Sequence, residues 1–185
     1  MLTSREIVRS LTGVWLLFRG RSDGLLALDR TVDGFWRSFA VIVLLLPLNA
    51  LTMFAISRIE GARESFASLF LSGLPVLVLD WIAFPAALAL VARPLGIGRT
   101  YASYVVARNW AAPLIAAILM IPFVLQGAGW VETTAAVILS LAAVLVALRF
   151  HYVILRVALK TSAAVSVGLL VADFMLTMIL VAIFE

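Results

Sequence analysis

The chain has 185 residues, 64% of them hydrophobic and 13% charged, with a formal net charge of +4. Soluble domains hold roughly 45–50% apolar and 25% charged residues, so a water-solvated fold of this composition would expose large apolar patches and aggregate. The basic residues sit in short gaps between apolar blocks. They form no patch for nucleic acid there and suit orientation in a membrane and contact with anionic lipid headgroups.

With no cysteine in the sequence, disulfides, thiolate metal sites, cysteine nucleophiles and palmitoylation are excluded. A lone His151 gives no basis for a His-built metal site, and no cofactor is expected.

Residues 3–18 read as an amphipathic helix. Thr3 and Glu6 have capping-box spacing, and Ile7, Leu11, Val14, Trp15 and Phe18 recur at helical intervals. Such a helix suits the membrane interface or a place against the end of a bundle. No cleavable signal peptide is expected, because the apolar stretch Gly13 to Phe18 is short and follows Glu6 as well as Arg5 and Arg9. A charged connection runs from 19 to 34, with Leu25 to Leu28 dipping back toward the membrane. Residues 1–34 thus form a cytoplasmic segment, and 35–185 a transmembrane domain.

Five spans are predicted. They run from about Phe35 to Ile56, Phe66 to Val91, Tyr101 to Leu125, Thr133 to Tyr152 (continuing as helix to Leu159) and Ser162 to Phe184. Each reaches the ~20 residues needed to cross a ~30 Å hydrocarbon core. Pro75, Pro85, Pro113 and Pro122 mark expected kinks. The fold class is therefore an all-α polytopic bundle of five transmembrane helices with an N-terminal amphipathic interfacial helix.

Arginine and lysine set the orientation. Arg5, Arg9, Arg19, Arg21, Arg30, Arg37, Arg93, Arg99, Arg108, Arg149, Arg156 and Lys160 fall on one side of a five-span chain, and only Arg58 and Arg63 on the other. Twelve against two predicts a cytoplasmic N-terminus and an external C-terminus at Glu185 in a bacterial inner membrane.

Two carboxylates, Asp80 and Asp173, fall near mid-bilayer in spans two and five. A central Asp costs about 2.5–3.5 kcal/mol, which several Leu, Ile, Phe or Val at ~0.3–0.6 kcal/mol each offset. Both acids must then be buried in protein, paired or protonated. Ser162, Ser166, Asp173 and Thr177 lie within an arc of about 60° at ~100° per residue. Ala164, Gly168 and Ala172 form a separate small-residue stripe suited to close helix packing. Both faces of span five are expected to point into protein. In span two, Ser68 and Ser72 share a looser face with Asp80. Arg108 and Asn109 enter span three after Tyr101 and Tyr104, and Arg149, Tyr152 and Arg156 line one face at the end of span four. Asp80, Asp173, Arg108, Asn109 and Arg149 are the candidate polar cluster, either lining a cavity for an ion, proton or lipid headgroup or closing interhelical bonds. Trp36, Trp130, Tyr101, Tyr104 and Tyr152 fit interface depth, whereas Trp81 and Trp110 are expected as packing partners.

The layout resembles the Yip1 family, in particular its bacterial five-span members. The resemblance is carried by Leu95 to Pro122, GIGRTYASYVVARNWAAPLIAAILMIP from Gly96, and by Arg149 to Phe184, where a basic span end and a Lys-Thr-Ser turn lead into a small-residue-rich last span. It implies a fold and no site residues. The acidic-Leu-Tyr-Gly-Pro motif of the trafficking members is absent, so binding of Rab-type GTPases is not carried over. The expected function is a non-enzymatic membrane protein that organises lipid, other membrane proteins or itself. The alternative is a small transporter or permease component using Asp80 and Asp173. An aspartyl intramembrane hydrolase fits poorly, since no Gly closely precedes either acid, and no G-x-S-x-G or H-E-x-x-H pattern is present.

Overall fold

The computed structural model describes residues 2–61 and 65–184. Arg63 and Glu185, assigned above to the second side of the membrane, lie outside them. The described residues form helices and no strand. The elements are α1 (Ser4–Phe18), a 3-10 turn (Ser22–Ala27), α2 (Val32–Phe39), α3 (Ile42–Glu60), α4 (Phe66–Val91), α5 (Tyr101–Gly127), α6 (Thr133–Leu159) and α7 (Ala163–Phe184). Five segments are long and apolar enough to cross a membrane: Val32–Glu60, Phe66–Val91, Tyr101–Gly127, Thr133–Leu159 and Ala163–Ile183. The chain is a multi-pass membrane protein.

The first span departs from the single helix expected. The chain tightens between α2 and α3, where Ala40 and Val41 donate to the carbonyls of Arg37 and Ser38, three residues back. Ser38 is fully buried there. Its hydroxyl donates to Phe35 O at 2.7 Å and accepts from the Asn109 side chain at 2.9 Å. The interruption leaves α3 with 19 residues, or ~28 Å at 1.5 Å per residue, close to the hydrocarbon thickness. The 27 residues of α5 and of α6 reach ~40 Å, which a ~30 Å core accommodates by tilt.

The long helices close into a ring in the order α3, α4, α7, α6, α5, with α5 packed most extensively, on α3 and α6. Close approach of α3 and α5 is permitted by Gly127, where a Cβ would stand 2.8 Å from Ala55 O. At the end bearing the N-terminal segment, α4 also meets α5. There Phe84 packs edge-on to Tyr104, and the Tyr101 hydroxyl donates to Pro85 O at 2.8 Å. The core, centred on Tyr104, Val105, Val106, Trp110 and Phe150, fills this end.

The N-terminal segment docks on the same end. Thr3 caps α1 by accepting from Glu6 N at 3.2 Å. The Glu6 carboxylate turns to Arg37 Nε at 3.2 Å, and Arg37 also donates to Asp29 at 2.5 Å. One guanidinium therefore ties α1, the connection and α2 together. Thr31 doubles the tie: it donates to Asp29 from its amide at 3.1 Å and its hydroxyl at 2.7 Å, and caps α2 by accepting from Gly34 N. These hydrogen bonds, with the nearby Arg37 charge, hold the Asp29 carboxyl below its ordinary pKa. Ser10, Gly13, Val14 and Leu17 are the buried face of α1, while Val8, Leu11 and Trp15 point away from the bundle. The helix thus packs on the bundle and keeps a second apolar flank free for an interface. The 3-10 turn buries Leu25 beneath α1, where Gly13 and Gly24 meet backbone to backbone; a Cβ at Gly24 would overlap the Gly13 carbonyl.

Candidate functional site

Three of the five sequence-predicted polar residues come together. Asp80 arrives from α4, Arg108 from α5 and Asp173 from α7. Arg108 Nη2 donates to Asp173 Oδ1 at 3.4 Å and stands 4.0 Å from Asp80 Oδ2. Thr177, one turn beyond Asp173 on the polar arc of α7, donates to Asp80 Oδ1 at 2.6 Å. The Arg108 carbon lies 5.9 Å from the centre of the Phe84 ring, so a quadrupole as well as two carboxylates faces the guanidinium. Arg108 and Asp173 are buried. Asp80 remains 35% exposed at its side chain.

The other two belong elsewhere. Asn109 follows Arg108 by one residue, ~100° around the helix, and donates to Ser38 in the joint between α2 and α3. Arg149 donates to Phe18 O at 2.8 Å and fastens the end of α1 to α6. The α6 member of the cluster is instead His151, with Nδ1 3.8 Å from Asp173 Oδ2. Helical phase separates them: residues 149 and 151 differ by ~200°, whereas His151 lies one turn from Ala147 and two from Val144, all three on the cavity wall.

The cluster lines a cavity of about 490 Å³ inside the ring, walled by residues from α3 to α7. Its surface is mainly apolar, with Met53, Met120, Met178, Phe123 and Phe174 among the lining side chains. Trp81, expected as a packing partner, borders this space. Its indole N–H is buried without a hydrogen-bond partner among the described residues, as are Asn49 Oδ1 and Arg108 Nε. Ser68 and Ser72 do not join Asp80; both are exposed, and the Ser72 hydroxyl donates to Leu69 O on its own helix.

Span five has one inward face rather than two. Ser166 and Asp173 are buried and Thr177 is half-buried, as the polar arc requires, whereas its fourth member, Ser162, precedes the helix and is exposed. Ala164, Gly168 and Ala172 are exposed, and nothing lies within 4 Å of a Cβ built at Gly168. The reason is phase: burying Asp173 against Arg108 turns the small-residue stripe to the outside of the ring. Residues at the α6–α7 connection secure this rotation. Thr161 and Ser166 hydroxyls meet at 2.8 Å, Arg156 donates to Thr161 O, and Lys160 takes a left-handed conformation, φ 56°.

Chemically, the site is a pair of carboxylates held by one fixed guanidinium at the edge of an apolar chamber. It suits ion or polar-group binding. Among the described residues no three His, Cys, Asp or Glu side chains are gathered to hold a metal ion. The chain matches no protein-family model, no curated protein and no solved structure.

Proposed function

We propose that the chain is a small carrier or permease component of a bacterial cytoplasmic membrane, with its N-terminus inside, that receives a solute or ion within its five-helix ring. The observation that carries this reading is the convergence of Asp80, Arg108 and Asp173, from three helices, on the wall of one cavity. Bonds serving packing alone would have the acids enclosed between two helix surfaces; Asp80 instead opens onto the chamber. Ionisable groups at membrane depth mark ion and substrate paths. Eleven basic residues, Arg108 apart, at the end bearing the N-terminal segment support the orientation.

The test is reconstitution in liposomes with an entrapped pH-sensitive dye and an imposed proton gradient. Asp80→Asn and Asp173→Asn should abolish a protein-dependent proton flux while each variant still unfolds cooperatively. Loss of stability with flux unchanged defeats the reading.

A second reading, the lipid- or partner-organising role expected from the smooth helix faces and the amphipathic N-terminal helix, is favoured by one feature. The stripe Ala164, Gly168 and Ala172 is open on the outer surface, where small residues let another transmembrane helix approach closely. Replacing Ala164 and Gly168 by Leu should then weaken self-association measured by energy transfer in vesicles, and leave proton flux unchanged.

A further inference from the structure

Resting on the reading of the cavity as a solute site, the geometry points to its ligand class: a hydrophobic monovalent cation, with Asp80 as its counter-ion. The two acids are not equivalent. Asp173 is buried, with Arg108 at 3.4 Å on one oxygen and His151 at 3.8 Å from the other. Asp80 gives one oxygen to the Thr177 hydroxyl at 2.6 Å, while its second stands 4.0 Å from the guanidinium and the side chain is 35% exposed. Two carboxylates face one guanidinium, which stands closer to Asp173, so the less covered acid, Asp80, is where a cationic ligand can meet a carboxylate.

The walls decide which cation. A small inorganic ion must exchange its water shell for several oxygens at close range. The polar groups on the wall besides Asp80 are largely engaged: Asp173 faces Arg108, and the Thr52 and Thr177 hydroxyls donate to Leu48 O and Asp80, with Asn49 and His151 beside them. The rest of the surface is thioether, aromatic ring and aliphatic side chain. A cation wrapped in apolar substituents holds its water loosely. It can place its charge at Asp80 and its substituents on Met53, Met120, Met178 and Phe123, contacts that polarisable sulfur and ring faces favour. The volume of about 490 Å³ falls within the roughly 300–1,000 Å³ of small-molecule sites. Trp81, 4% exposed, supplies an unpartnered indole N–H at the same wall for a hydrogen-bonding substituent.

The experiment uses two probes of one shape and opposite charge, tetraphenylphosphonium and tetraphenylborate, with the full chain in nanodiscs. Binding is read by equilibrium dialysis. Specific binding is the part lost in the cavity-filling variant Ala116→Phe, which separates it from partition into lipid. The phosphonium should bind at least tenfold more tightly than the borate. Asp80→Asn should weaken it tenfold or more, and Asp80→Glu should restore it to within a few fold. The ratio between the two probes in the unaltered chain decides the sign of the charge even if a variant does not fold. Equal affinity, or affinity that survives Asp80→Asn, overturns the inference. A preference for borate also overturns it and leaves the cavity a solute site of the opposite sign. If neither probe binds but the Asp80-dependent proton flux is intact, the cation fails and the carrier reading stands. If both measurements are null, both fall.

Discussion

Among the described residues Arg108 is the one fixed positive charge facing the two membrane-embedded acids, so replacing it by Leu should unbalance the bundle severely. At an effective dielectric constant of ~20, its attraction to Asp173 at 3.4 Å is about 5 kcal/mol and to Asp80 at 4.0 Å about 4 kcal/mol, before desolvation. Desolvation cancels much of this, which is why swapping a whole buried pair for apolar groups is often neutral, while removing one member costs ~3–5 kcal/mol. Arg108→Leu leaves Asp173, with a side chain only 7% exposed, with His151 at 3.8 Å and no fixed cation. We expect a loss of about 3–5 kcal/mol. Asp173→Leu alone should cost less, because Arg108 keeps Asp80. Combining the two should recover part of the loss, giving a coupling energy of about 2 kcal/mol, toward the upper end for residues in contact. Reversible unfolding in mixed micelles at rising SDS fraction, followed by tryptophan fluorescence, measures all four corners of the cycle. An Arg108→Leu cost below ~1 kcal/mol, or a double variant equal to the sum of the singles, would refute the idea that the charges act as one unit.

Other consequences concern the docked N-terminal segment and the helix crossings. Arg149→Ala removes the bond to Phe18 O and should speed proteolytic cleavage in the 19–21 stretch several-fold, with phosphonium binding unchanged; a parallel loss of binding would place Arg149 back in the site. Gly24→Ala forces a Cβ onto the Gly13 carbonyl and should cost about 1–3 kcal/mol, read as a lower unfolding midpoint, whereas Gly98→Ala, with open space at its Cβ, should be near neutral. The depressed Asp29 pKa adds a pH dependence. Because the folded value lies below the unfolded ~3.9, the docking it supports is complete above that pH and is lost as pH falls through the folded value. Hydrogen exchange in α1 should therefore accelerate below about pH 4, and Thr31→Val should weaken the dependence by removing the first of the two hydrogen-bond causes.

The topology was legible because hydrophobic length is a one-dimensional property. Phe66–Val91 and Tyr101–Gly127 occur as helices within two residues of the bounds predicted from apolar runs. The break after Phe39 was not legible. It depends on a buried Ser38 meeting Asn109, 71 residues away, and the apolar run Phe39 to Leu46 carries no sign of it. Gly13 and Gly24 likewise show their role only once α1 folds back on the turn.

Site membership turned on helical phase, and phase is only partly written in sequence. The polar arc of α7 was recoverable because Ser166, Asp173 and Thr177 on an apolar helix define a direction. On α6 two stripes compete: Arg149, Tyr152 and Arg156, and the flatter Val144, Ala147, Leu148 and His151. Charge draws attention to the first. Yet Arg149 and Arg156, in the last three turns of α6, are long enough to reach the Phe18 and Thr161 carbonyls, and long cations in that part of a span extend toward polar partners at its end rather than inward. His151 is short and cannot do so; its ring stays at the depth of its Cα and meets Asp173. On a membrane helix, then, side-chain reach is as informative as charge in selecting which polar residue faces the cavity. By that criterion His151, with Asp80, Arg108 and Asp173, belongs to the site, and Arg149 to the docking of α1.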